Sequence, residues 1–128
     1  MLKTTKLVEM AALLLVVSSA FAEVEKITLA QDKNEVVLRL TSNPSTGYSW
    51  QPYSYDTKVF KKVDHSFIPG DAPPGRVGVP GTEEWIFVLD PEARKEQAGT
   101  STRIVLQYQR SGEKGEPYEE KNYEIQFK

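Results

Sequence analysis

The chain has 128 residues, of which 39% are hydrophobic and 27% charged, so one domain with a modest core and much polar surface is expected. A formal net charge of −2 gives no sign of a nucleic-acid partner or of binding to an anionic membrane. The absence of cysteine excludes disulfides, thiolate metal sites and a cysteine nucleophile.

The first 22 residues have the three-part layout of a secretory signal peptide. The segment begins with the positive charges of Lys3 and Lys6 and continues with the apolar run Met10–Val17. Two small residues, Ala20 and Ala22, then occupy the positions that a signal peptidase recognises. The apolar run is too short for a stable membrane anchor. We therefore expect cleavage of residues 1–22, a mature domain of residues 23–128 with no membrane contact, and a periplasmic or secreted location. An amphipathic N-terminal helix is the alternative.

Beyond the signal segment, apolar and polar residues alternate over several stretches, which is typical of strands with one buried face. The stronger strand candidates are Val36–Leu40, Trp85–Leu89, Ile104–Tyr108 and Tyr123–Phe127, and the weaker ones are Ile27–Leu29, Tyr48–Gln51 and Val59–Val63. About seven short strands predict an all-β fold, an immunoglobulin-like antiparallel β-sandwich. An antiparallel barrel is the competing architecture. A short helix is expected only over Pro91–Glu96.

The sequence offers no arrangement of residues for catalysis, which requires a nucleophile beside a base, a metal or two facing carboxylates. His65 is the single histidine and lies in a charged stretch between strand candidates, so we predict a surface position for it. Glu83 and Glu84 begin a strand with their side chains on opposite faces, so they do not form an acid/base pair. We expect no enzymatic activity, no cofactor and no metal site.

The segment from Asn43 to Tyr48 joins two strand candidates and has a local physical logic. Pro44 fixes its own φ angle and holds Asn43 extended. Gly47 permits the positive φ angle with which the chain turns into the next strand, where Trp50 is expected to pack in the core. On composition alone an ordinary strand-connecting turn is the favoured interpretation, because Asn-Pro and Thr-Gly are common in turns. A second loop, over residues 69–81, is rich in proline and glycine.

The order of residues in the first loop resembles the signature loop of the chagasin-type inhibitors of papain-like cysteine peptidases, Asn-Pro-Thr-Thr-Gly-Tyr/Phe. The matching segment, with serine in place of the first threonine, is Asn43, Pro44, Ser45, Thr46, Gly47 and Tyr48. The second family motif, Gly-x-Gly-Gly, resembles a segment in which proline replaces the inner glycine: Gly78, Val79, Pro80 and Gly81. The third, Arg-Pro-Trp or a close variant, matches only at the arginine of Arg110, Ser111 and Gly112.

This resemblance spans essentially the whole mature chain and implies a sandwich whose three loops at one end fill the cleft of a papain-like cysteine peptidase. Inhibition would be reversible and non-covalent, with Thr46 nearest the catalytic cysteine. Independently of the resemblance, a monomer is the default expectation. The missing aromatic residue after Arg110 predicts weaker binding or a changed target range, because interface energy concentrates in Trp, Tyr and Arg. Tyr118 and Arg76 are candidates to replace it.

A non-inhibitory exported module is the rival hypothesis: an adhesive, carbohydrate-binding or envelope-structural domain. Sugar binding requires exposed aromatic side chains, for which Tyr53 and Tyr55 are candidates. Packing at a strand edge is the interpretation of these two residues that we favour. A degenerate inhibitor that has turned to another partner is a third possibility.

Overall fold

The computed structural model describes residues 23–71, 73–75, 78–110, 112 and 117–128, so the predicted signal peptide lies outside the described residues. The strands are β1 (Val24–Leu29), β2 (Glu35–Ser42), β3 (Tyr48–Ser54), β4 (Lys62–Ile68), β5 (Gly81–Val88), β6 (Ser101–Arg110) and β7 (Glu119–Phe127). One helix, α1 (Pro91–Glu96), lies where it was predicted, and a 3₁₀ turn spans Pro44–Thr46. No helix in the described ranges is long and apolar enough to cross a membrane.

The strands form two sheets, one with the order β1-β7-β6-β3 and the other with the order β2-β5-β4. This confirms the predicted sandwich over a closed barrel. All pairings are antiparallel except that of β1 with β7, which is parallel, from Val24 beside Asn122 to Leu29 beside Phe127. Parallel pairing requires a long connection. The first and last strands meet this condition, because the rest of the domain connects them.

The alternating apolar residues point into the space between the two sheets, as predicted from their period of two. The buried hydrophobic side chains are Leu29, Val36, Leu38, Leu40, Trp50, Val59, Phe60, Phe87, Leu89, Ile104, Leu106, Tyr123, Ile125 and Phe127. Each contributes about 1.5–3 kcal/mol when fully buried. This shared core, in place of disulfides, holds the sandwich together.

The fourth strand begins later than the sequence predicted. Val59 and Phe60 are buried, but they lie in a turn in which the amide of Phe60 donates to the carbonyl oxygen of Asp56 at 2.9 Å. The two adjacent apolar residues led to the prediction of a strand start at Val59, but the pairing of β4 with β5 begins at Lys62. As a result His65 lies within β4 and not between strands.

Strand register brings three connections to one end of the sandwich. Ser42 pairs with Gly81 and Ile68 with Thr82, so the β2–β3 and β4–β5 connections leave the smaller sheet on the same side. In the larger sheet Tyr48 pairs with Arg110, at the end of β6 where the chain leaves for β7. Because the β2–β3 connection joins the two sheets, it lies between the other two. We call residues 43–47, 69–80 and 111–118 loops 1, 2 and 3.

Candidate functional site

Loop 1 is a tight turn whose shape follows from its sequence. Pro44 begins the 3₁₀ turn after an extended Asn43. The carbonyl oxygen of Asn43 accepts from the amide of Thr46 at 3.1 Å and from its hydroxyl at 2.7 Å, and the amide of Gly47 donates to the carbonyl oxygen of Pro44 at 2.9 Å. Gly47 has a φ angle of 85°, which glycine adopts without the steric cost that a Cβ imposes. These contacts fix the backbone while Ser45 and Thr46 remain exposed at the tip.

Asn43 ties loop 1 to loop 2. Its side-chain nitrogen Nδ2 donates to the carbonyl oxygen of Gly78 at 2.7 Å, and its Oδ1 accepts from the hydroxyl of Ser45 at 2.7 Å. An amide is required here, because aspartate would have no donor for the Gly78 carbonyl. A Cβ atom at Gly78, which has a φ angle of 75°, would lie 3.4 Å from Ser45 Oγ. The structure therefore brings the first two sequence-predicted motifs into contact.

Loop 2 closes at its base through two glycines that permit close approach. A Cβ at Gly70 would collide with the carbonyl oxygen of Pro80. One at Gly81 would lie 2.5 Å from both the carbonyl oxygen of Ile68 and the ring of Phe67. Pro80 is exposed and Val79 is half-buried. The proline in place of the family's inner glycine is thus accommodated at a closed loop base.

Arg110 and three tyrosines border loop 1 on its other side. The guanidinium of Arg110 lies 5.0 Å from the ring centroid of Tyr48, within cation–π range. The tyrosine cluster, which consists of Tyr48, Tyr108 and Tyr118, has ring centroids separated by 5.5 to 6.2 Å. The hydroxyl of Tyr108 accepts from the backbone amide of Asn43 at 3.1 Å. Of the other third-motif residues, Gly112 is exposed, with a φ angle of 82°. Ser111 and Arg76 lie outside the described residues.

Comparison with known families and structures identifies the family to which this fold and these loops belong. The family model described as Chagasin family peptidase inhibitor I42 matches residues 30–127. The chain belongs to the chagasin family. The crystal structure of the cysteine protease inhibitor EhICP2 from Entamoeba histolytica is similar, with a TM-score of 0.64 and 26% identity, over 83% of this chain and 88% of that one.

A second solved structure shares the fold of this chagasin-family chain. The solution structure of amebosin has a TM-score of 0.55 and 24% identity, over 79% of this chain and 86% of that one. No curated protein matches the chain. The match to the family model over residues 30–127 confirms the family predicted from the sequence motifs. Members of this family are inhibitors and not enzymes, which also confirms the prediction that this chain is not an enzyme.

The sequence did not predict that Glu83 is a buried carboxylate beneath loop 1. Glu83 is 2% exposed, and its Oε2 accepts from the hydroxyl of Ser42 at 2.6 Å and from the amide of Trp50 at 2.9 Å. Its Oε1 lies 2.8 Å from Nε2 of His65, which stacks on Trp85 with a centroid separation of 4.1 Å. Ser42 ends the strand before loop 1, and Trp50 lies in the strand after it. Glu83 therefore joins both flanks of the loop.

The sequence carried a signal for this carboxylate. Glu83 shares the parity of Gly81 and Phe87, which are buried in β5, and of the buried Leu89 that follows the strand, so its side chain had to point inward. Glu84 points outward and bonds to Arg39 at 2.8 Å, as the opposite-face prediction required. His65 is partly exposed, with 39% of its side-chain surface accessible, and it contacts the buried Glu83. The prediction of a surface residue captures its exposure but not this contact.

The rival aromatic candidates separate in the structure. Tyr55 is half-buried and packs edge-on against Phe87 with a centroid separation of 5.2 Å, as the packing interpretation predicted. Tyr53 is 68% exposed on β3, at the end away from loop 1. Among the described residues, no group of three or more His, Cys, Asp or Glu side chains is placed to hold a metal ion.

Proposed function

We propose that the mature domain inhibits papain-like cysteine peptidases reversibly and without a covalent step, by inserting loop 1 into the active-site cleft. The observation that carries this proposal is the fixed, exposed tip of loop 1, held to loop 2 through Asn43 and Gly78 and to β6 through Tyr108. Membership of a peptidase-inhibitor family supports it. So does the likeness to EhICP2, which is described as a cysteine protease inhibitor.

The geometry of the tip suits a plug. A loop that is already ordered by hydrogen bonds loses little conformational entropy on binding, so more of the contact energy appears as affinity. Ser45 and Thr46 are small enough to enter a narrow cleft. The hydroxyl of Thr46 donates to the carbonyl oxygen of Asn43, which favours a structural role for this oxygen over attack on the peptidase. By resemblance to the family, Thr46 lies nearest the catalytic cysteine.

The direct test is an inhibition panel of papain and cathepsin L-like enzymes with the protein of residues 23–128, which contains every strand of the sandwich. Wild type is expected to inhibit at micromolar concentration, and Thr46→Arg is expected to abolish inhibition without unfolding the domain. Thr57→Arg is the matched control, because Thr57 is also exposed but lies between β3 and β4, at the opposite end. Full peptidase activity in the presence of the wild-type protein would contradict the proposal.

The non-inhibitory module now rests on one residue. Tyr53 alone of the two candidates presents its ring to solvent, and a single exposed tyrosine is a small platform for a sugar. Glycan binding measured on the same protein, without any peptidase inhibition, would favour this second function.

We also propose that residues 1–22 are a signal peptide and that the mature inhibitor acts as a monomer in the periplasm or outside the cell. The sequence layout of the segment supports export. The expected result is an exported protein whose N-terminal residue is Glu23. An exported protein that retains Met1 would contradict the proposed cleavage, and sedimentation analysis tests the monomer.

A further inference from the structure

We infer that Tyr118 is the anchor of loop 3, and that its ring docks on an apolar surface of the peptidase beside the cleft entered by loop 1. This inference rests on the proposed function and deepens it. The third family motif lacks its aromatic residue in the segment after Arg110. The structure supplies an aromatic ring at the same end of the sandwich from a residue farther along the chain.

The position of Tyr118 follows from the pairing of β6 with β7. Tyr108 lies opposite Glu119, so the residue before Glu119 stands at the loop end of the larger sheet. The amide of Tyr118 donates to the carbonyl oxygen of Tyr108 at 3.0 Å, which extends the ladder by one further bond. The backbone of Tyr118 is thus fixed by the sheet.

The ring of Tyr118 is supported but not covered. Its centroid lies 5.7 Å from that of Tyr48 and 6.2 Å from that of Tyr108. Nevertheless, the residue is 75% exposed, the largest exposed fraction among the exposed large hydrophobic residues that the structure describes. Tyr53 is comparably exposed, but it lies at the other end of the sandwich.

A supported and exposed aromatic ring has the properties of an interface anchor. Tyrosine has few rotatable bonds, and two neighbouring rings restrict this one further, so its immobilisation on binding costs little. Most of its apolar surface remains to be buried by a partner. Tyr48, the residue that follows loop 1, links it to the loop, because the Tyr48 ring contacts both the ring of Tyr118 and the guanidinium of Arg110. Tyr118 is therefore held in a fixed relation to loop 1.

The test compares inhibition constants for a peptidase of the panel that wild type inhibits. Tyr118→Ala is expected to raise the inhibition constant about 30-fold, which corresponds to a loss of about 2 kcal/mol and to a typical hot-spot residue. Tyr118→Phe keeps the ring and is expected to change it less than about 3-fold. Tyr53→Ala removes a comparably exposed tyrosine from the opposite end and is expected to inhibit as wild type does.

A second measurement separates contact with the peptidase from mere support of Tyr48. Nitration by tetranitromethane, read by peptide mass, is expected to modify Tyr118 and Tyr53 in the free inhibitor. In the complex, only Tyr118 is expected to be protected. Equal nitration of Tyr118 with and without peptidase, or a Tyr118→Ala variant that inhibits as wild type does, overturns this inference alone. A wild-type protein that inhibits no peptidase of the panel overturns the proposed function and this inference together.

Discussion

Substitution of Glu83 by alanine tests whether one buried carboxylate joins the two strands that carry loop 1. Its Oε2 accepts from the Ser42 hydroxyl at 2.6 Å and from the Trp50 amide at 2.9 Å, and its Oε1 lies 2.8 Å from His65 Nε2. Alanine removes all three interactions. The backbone amide of Trp50 then remains buried without an acceptor, because the pairing of β3 does not extend into the smaller sheet.

The size of the effect follows from these contacts. A buried donor left without a partner costs about 1–3 kcal/mol, and Ser42 and Trp50 each lose their acceptor. Relief of the desolvated charge of Glu83 offsets part of this cost, and the partly exposed His65 regains hydration. We expect a loss of about 3 kcal/mol from a total stability of roughly 5–15 kcal/mol.

Urea unfolding measures this loss directly. With an m value of about 2 kcal/mol per molar, the midpoint is expected to fall by about 1.5 M. Glu83→Gln retains one acceptor oxygen and should lose less than half as much. Glu84→Ala is the neighbouring control, because it removes only an ion pair to the largely exposed Arg39, worth about 0–1 kcal/mol. If Glu83→Ala and Glu84→Ala are equally stable, Glu83 does not hold the strands together.

Three further predictions concern the loops and the core. Gly47→Ala should lose about 1 kcal/mol of stability and weaken inhibition, because the φ angle of Gly47 is 85°. Gly99→Ala, at the opposite end of the sandwich and with a φ angle of 82°, should lose as much stability but inhibit normally. Unfolding and inhibition assays on both variants check this. Asn43→Asp should lower the free energy of peptidase binding, read from the inhibition constant, more than the free energy of unfolding, read from the urea midpoint, because it removes the donor to the Gly78 carbonyl oxygen on an exposed loop. An unchanged inhibition constant would show that the link between loops 1 and 2 is dispensable. Burial, with smaller contributions from nearby glutamates, raises the pKa of Tyr123 from 10.0 to about 12, so its contribution to stability is constant below pH 10 and is lost as the pH rises through about 12. Urea midpoints over this range should show the decline, and Tyr123→Phe should remove that part of it.

The sequence predicted the elements in which local pattern and tertiary environment agree. Alternation located the central strands of both sheets, because one face of each strand is buried and the period of two therefore appears in the residues. The predicted start of β4 was wrong, because Val59 and Phe60 are buried although they lie in a turn, where apolar and polar residues do not alternate. The parallel pairing of β1 also left no local trace, since it depends on contact between the two ends of the domain.

The candidate site was likewise predictable only in part. The turn of loop 1 could be predicted because Asn43, Pro44 and Gly47 each meet a local backbone requirement. The contacts that give the site its shape join residues far apart in sequence, such as Asn43 with Gly78 and Glu83 with Trp50. Tyr118 could be named as a candidate anchor, but only the register of β6 and β7 brings it beside Tyr48.

Protection of the catalytic cysteine tests the central claim most directly. The account predicts that a stoichiometric amount of the inhibitor slows alkylation of that cysteine by iodoacetamide, that dilution restores both alkylation and activity, and that Thr46→Arg gives no protection. Thr57→Arg should protect as wild type does, because it alters the opposite end of the sandwich. Inhibition with the cysteine still alkylated at its full rate would show that loop 1 does not fill the cleft and would contradict the account.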